Sequence, residues 1–154
     1  MNIKKLNQDL MILQNEGTRA RFGQTPGWYR TDWTKTPYGG LMIFLRGCSM
    51  PPTCSVQRTD IRLEAPPSLY DRLTDGRLIF YRNLWLAPDL QLFDRRRKTW
   101  LVMPRLFAPD ESGWAFLCIH PEPVSPERNV LHFLKALDLF LLNPGRKAGL
   151  GELA

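Results

Sequence analysis

Only three cysteines, Cys48, Cys54 and Cys118, and two histidines, His120 and His132, occur in the 154 residues. An odd number of thiols does not make a disulfide framework, and Cys48 and Cys54 stand too far from either histidine for the usual zinc-ligand spacings. Reduced thiols, no bound metal and no cofactor are the expectation. No run reaches the roughly 18 consecutive apolar residues of a membrane span. The N-terminus mixes apolar with polar residues where a signal segment would be basic and then apolar. A soluble, cytoplasmic chain with no membrane partner is expected. Internal repeats and low-complexity segments are missing, as is the βαβ alternation that would announce a parallel sheet.

What is present is enough for one core: 44% of the residues are apolar. A single domain over 1–145 is expected, followed by a tail at 146–154. The net charge of +6 favours an acidic partner without saying which. Its dense part, Arg95-Arg96-Arg97-Lys98, lies between the apolar runs Leu90 to Phe93 and Trp100 to Met103. A solvated hairpin turn belongs there, and this reading is preferred to a phosphate-binding patch.

Taken in order, Ile3, Leu6, Leu10 and Leu13 are spaced by three, four and three residues, which predicts an amphipathic helix from Asn2 to about Gln14 with Gly17 as its stop. Residues 18 to 40 carry no clear period and read equally as an irregular loop or a short hairpin around Pro26-Gly27. Leu41 to Leu45 and Val56 to Leu63 predict a hairpin, joined through Cys48 to Cys54 and Pro51-Pro52. A third strand is expected at Leu78 to Leu86, closed by Ala87-Pro88-Asp89, and a fourth at Thr99 to Arg105. Val130, Leu131, Leu134, Leu137 and Leu141, widened by Phe133 and Phe140, mark a mostly buried helix. Ser125-Pro126 would open it or a preceding turn, and Asn143-Pro144-Gly145 would end it. The fold class expected is α+β.

Between the last strand and that helix runs Phe107 to His120, containing Ala108-Pro109-Asp110 and Cys118. This order resembles that of the ubiquitin-conjugating enzymes: an N-terminal helix, an antiparallel four-strand meander, a catalytic-cysteine loop and a central packed helix. In that family a His-Pro-Asn motif places its proline nine residues before the catalytic cysteine, and Pro109 stands nine before Cys118. Ser-Pro and a Leu-Leu-x-Asp-Pro-like helix end follow in the family. Here Ser125-Pro126 leads to Leu141-Leu142-Asn143-Pro144, with the two prolines eighteen residues apart. Ile3-Lys4-Lys5-Leu6 is similar to the family's first helix, whose basic residues dock the activating enzyme, so Lys4 and Lys5 inherit that expectation. Gly76 to Asp89 resembles the family's third strand and its Pro-Pro-Asp-like end.

The resemblance implies that Cys118 accepts a ubiquitin-like modifier protein as a thioester from an activating enzyme and passes it to the acceptor amine of a target protein, in the manner of the bacterial ubiquitin-like conjugation systems. Such a thiol must attack as thiolate, remain accessible and leave readily. The bland alternative is a packed core cysteine. The chain departs from the family at Ala108 and Asp110, where the motif has histidine and asparagine. A carboxylate donates no hydrogen bond unless protonated, so Asp110 suits orienting a loop or attracting the incoming amine better than stabilising an oxyanion. His120 shares a strand face with Cys118 if the stretch is extended, which makes it a candidate proton carrier as well as a structural histidine. Two rival functions stay open: a catalytically silent binding module of the same fold, and a small nucleic-acid-binding domain built on Arg95 to Lys98. The five tryptophans read as core or rim aromatics.

Overall fold

The computed structural model describes residues 3–35, 41–65, 83–86, 91–95, 97–102, 115–118 and 130–143. Within them the chain is α+β, with two helices and seven strands, all paired antiparallel. Helix α1 (Ile3–Gly17) runs one turn beyond its last core leucine. Leu13 is fully buried and Leu10 and Ile12 pack beside it, while Gln14 and Asn15 face solvent. Its end closes on itself: Thr18 N–H and Oγ1–H both donate to the Asn15 carbonyl, at 3.3 and 2.7 Å. Gly17 is then required for space, since a Cβ there would stand 2.3 Å from Nε1 of the buried Trp28.

Residues 18–29 are irregular, and backbone bonds rather than a hydrophobic pattern hold them. Ser49 N–H donates to the Gly27 carbonyl at 2.7 Å, Tyr29 N–H to the Arg46 carbonyl at 2.9 Å and Trp28 N–H to the Gly17 carbonyl at 3.2 Å. Arg58 donates to the carbonyls of Gly47 and Pro26 at 2.8 and 2.9 Å, with its guanidinium 4.4 Å from the centre of the Tyr29 ring. Neither the irregular loop nor the hairpin at Pro26-Gly27 accounts for all of 18–40, because the stretch contains strand β1 (Arg30–Lys35), with 36–40 outside the described residues. That strand occupies one end of the sheet, and Arg30, Trp33, Thr34 and Lys35 are exposed. With one apolar residue in six it has none of the alternation that marks a half-buried strand.

The expected hairpin is present as β2 (Leu41–Ser49) and β3 (Arg58–Ala65). Leu41, Ile43 and Leu45 alternate into the core opposite Ile61 and Leu63, all fully buried. The register slips between Leu45 and Cys48, where Gly47 takes φ +64° and donates its N–H to Asp60 at 2.8 Å. A β-bulge of this kind favours glycine and bends the strand. Strand β4 (Asn83–Leu86) pairs with β3 and ends at the expected Leu86, while residues 78–82 lie outside the described residues.

The strands differ from a four-strand meander at one place. The strand expected at Thr99 to Arg105 is β6 (Thr99–Val102), and it pairs with β5 (Gln91–Asp94) in a separate two-stranded hairpin whose turn holds the basic cluster. The position beside β4 belongs to β7 (Ala115–Cys118), so the main sheet runs β1-β2-β3-β4-β7. Cys118 is thus the last residue of β7, the last strand among the described residues. Helix α2 (Val130–Leu142) closes the core with Val130, Leu134, Leu137, Phe140 and Leu141, and stops at the expected Asn143. Leu139 on its far side is exposed. Because α1 packs against α2, the helices and the row Leu41, Ile43, Leu45 form one two-layer core.

Candidate functional site

Strand β7 follows β4 in reverse, pairing Asn83 with Cys118, Leu84 with Leu117, Trp85 with Phe116 and Leu86 with Ala115. Carried across the sheet, this register makes one row of Trp33, Ile43, Leu63, Leu84 and Leu117, and the next row of Thr34, Met42, Glu64, Asn83 and Cys118. Ile43 and Leu63 belong to the core, whereas Met42 and Glu64 are only half-buried and Thr34 is exposed. Leu117 falls in the first of these rows and Cys118 in the second. Of the other residues singled out in the sequence, Asp110 and His120, with Ala108 and Pro109, lie outside the described residues. Lys4 and Lys5 fall in the first turn of α1, where Lys4 is exposed.

The other two thiols are buried, Cys48 at the end of β2 and Cys54 in the β2–β3 connection. Burial pushes the Cys54 thiol up to about 12, against a smaller opposing pull from the Thr53 hydrogen bond and the Arg21 charge. Burial also raises Cys48, although the Arg21 guanidinium 3.3 Å from its sulfur works the other way. Both remain protonated at neutral pH, a condition that suits packing and not nucleophilic attack.

A partly buried polar cluster surrounds Cys48 that no sequence pattern announced. Arg21, on the irregular stretch after α1, donates from Nη1 to the Ser49 carbonyl and from Nη2 to Asp138 Oδ1 of α2. Ser49 Oγ–H returns a bond to the Arg21 carbonyl at 2.8 Å. Burial lowers the Arg21 pKa, but Cys48 and Asp138, each by charge and by hydrogen bond, together outweigh it and the net shift is upward. Since Cys48 is neutral at physiological pH, Asp138 is the counter-ion that matters there. The Asp138 carboxyl is itself raised by burial, with Arg21 opposing. This cluster ties the α1–β1 connection, β2 and α2 together across 117 residues of sequence. Beside it, Glu16, Arg21, Trp28, Leu134 and Asp138 line a groove of about 360 Å³ between the two helices. A second tie, Thr53 Oγ1–H to the Leu141 carbonyl, fixes the last turn of α2 to the β2–β3 connection. The cluster is short of nucleophiles that can ionise, so its chemistry is positional: it sets where α2 lies on the sheet.

Among the described residues, no group of three or more His, Cys, Asp or Glu side chains could hold a metal ion. No helix there is long and apolar enough to cross a membrane. Comparison of the chain with protein-family models, with curated proteins and with solved structures finds no match.

Proposed function

We propose that the chain is a ubiquitin-conjugating-like carrier with Cys118 as its thioester nucleophile. The Cys118 thiolate attacks the carbonyl carbon of a modifier held as a thioester on its activating enzyme. The activating enzyme's thiolate leaves, and the new thioester on Cys118 is then opened by an acceptor amine, which regenerates the thiol. The observation that carries this reading is the spacing of Pro109, Cys118, Pro126 and Pro144, resembling the family's proline, cysteine, proline and helix-end proline in order and distance. The register of β7 supports it, because Cys118 shares its row with Met42 and Glu64 and not with the core residues Ile43 and Leu63. The burial of Cys48 and Cys54 supports it too, since neither thiol is suited to the role. Helix, antiparallel strands, cysteine and helix also occur in the family's order. Asp110 is assigned to orienting the loop or attracting the amine, His120 to carrying a proton, and Lys4 and Lys5 to docking the activating enzyme.

Ala108 and Asp110 favour a second reading in which the same fold binds a modifier without forming a thioester. The deciding experiment mixes the chain with a ubiquitin-like protein, its cognate activating enzyme and ATP. A thiol-sensitive adduct that persists in Cys48→Ala and is lost in Cys118→Ala is expected. Modifier binding that is equally strong in Cys118→Ala, with no adduct from the parent chain, would instead establish the silent module.

A further inference from the structure

The β5–β6 hairpin stands apart from the main sheet, yet it is fastened at its base. Ser55 N–H donates to the Gln91 carbonyl at 2.9 Å, Phe93 N–H to the Thr53 carbonyl, and Gln91 N–H to Ser55 Oγ at 2.9 Å, while Leu92 is buried and forms a bridge with Cys54. Thr53 is in turn bonded to the end of α2. The hairpin is therefore held by both the sheet connection and a helix, and its tip is presented rather than packed.

Alternation along β5 explains what the tip displays. Leu92 and Asp94 are buried, so Phe93 and its cross-strand partner Trp100 occupy the outward side. Their rings meet edge to face, with centres 5.3 Å apart, and Trp100 remains 47% exposed. The turn adds Arg95, Arg97 and Lys98, all exposed. The single acid between Gln91 and Val102 is Asp94, which is buried and accepts the Arg97 N–H at 3.3 Å with the Arg97 guanidinium 3.7 Å away. Apart from this pairing of Asp94 with Arg97, the hairpin holds no acid to offset the tip.

We infer that the β5–β6 hairpin binds single-stranded nucleic acid, with Arg95, Arg97 and Lys98 on successive phosphates and a base stacked on the exposed face of Trp100. Charge alone would serve an acidic protein surface equally well. The half-exposed indole, braced by Phe93 beside three cations, is what selects a partner alternating negative charge with flat aromatic faces, as a single strand does. A duplex hides those faces in its stack. This inference does not depend on the thioester reading and needs no activating enzyme.

The test is titration of the full chain into fluorescein-labelled twelve-nucleotide oligo-dT and oligo-U, with a labelled twelve-residue polyglutamate as the comparison. Three phosphate contacts give a log–log salt slope of about −2 for a single strand. Oligonucleotide affinity should therefore fall roughly tenfold or more between 50 and 200 mM salt. Trp100→Ala should weaken binding by roughly tenfold while keeping most of the salt slope. Arg95→Glu with Lys98→Glu, both at exposed positions, should abolish it, with the circular dichroism spectrum and melting temperature confirming that both variants fold. Undiminished binding by the charge-reversal variant, polyglutamate binding as tight as oligonucleotide binding, or no binding at 50 mM salt would each overturn the inference.

Discussion

Cys48 and Cys54 are both buried thiols, and only the structure shows it. Cys54 makes the point measurable. Its folded-state pKa, about 12, lies above the ordinary 9.0, so between those values the folded chain keeps a proton that the unfolded chain has released. The contribution is intact below the ordinary value and is lost as pH rises through the window. One such thiol sets a slope of about 1.4 kcal/mol per pH unit. Urea denaturation of Cys54→Ala is expected to start from a lower stability, because a buried sulfur is gone. It should then lose about 1.4 kcal/mol less than the parent between pH 8 and pH 10. Parallel stability curves for the two proteins would show that Cys54 is not held neutral by the fold. The sequence showed that there were three thiols and where in the chain they stood. It did not show which were buried, because Cys48 lies beside Arg21, itself bonded to Asp138 of α2, and Cys54 bridges to Leu92 of β5, partners distant in sequence.

Among the elements, the legible ones were those whose apolar residues recur at a regular period. Helix α2, the β2–β3 hairpin and the body of α1 follow from leucine and isoleucine spacing, and the basic cluster fell at the β5–β6 turn as its flanking runs implied. Strand β1 was missed because an edge strand buries little and needs no alternation. The place of β7 beside β4 was missed because pairing order is set by long-range packing that no local pattern encodes. Arg21 and Asp138 show the same limit, since two residues 117 positions apart leave no local trace of their contact. The end of α1 supplies a test. Gly17 lies against the Trp28 ring, which is 4% exposed and has little room to retreat. Gly17→Ala should cost about 1–3 kcal/mol despite alanine's better helix propensity. Thermal unfolding of the variant checks this, and an unchanged or raised melting temperature would count against the packing described.

For the whole molecule, two proposed activities occupy different parts of one architecture. Cys118 ends a strand of the main sheet, and the basic hairpin is a separate pair of strands inserted in the chain between β4 and β7. Sites that share no residues should vary independently. Arg95→Glu with Lys98→Glu is accordingly expected to form the Cys118 adduct within about twofold of the parent rate, and Cys118→Ala to keep the parent's oligonucleotide affinity. Loss of both activities in either variant, with folding intact, would mean that one site serves both. The cysteine's candidacy was legible through prolines at fixed distances. The exposure of Trp100 was not, because a tryptophan in a strand reads the same whether its ring is covered or presented.

Strand β1 bears on how the protein behaves when concentrated. A sheet that ends in an unpaired strand offers its backbone to the next molecule, and chains with long apolar edges stack into fibres or precipitate. Here the terminal strand among the described residues reads Arg-Thr-Asp-Trp-Thr-Lys, and a second copy adding to it antiparallel with the two strands fully overlapped would set Arg30 against Lys35 and Asp32 against Trp33. The same polar composition that hid β1 from hydrophobic patterning leaves that rim without the apolar stripe that edge-to-edge stacking favours.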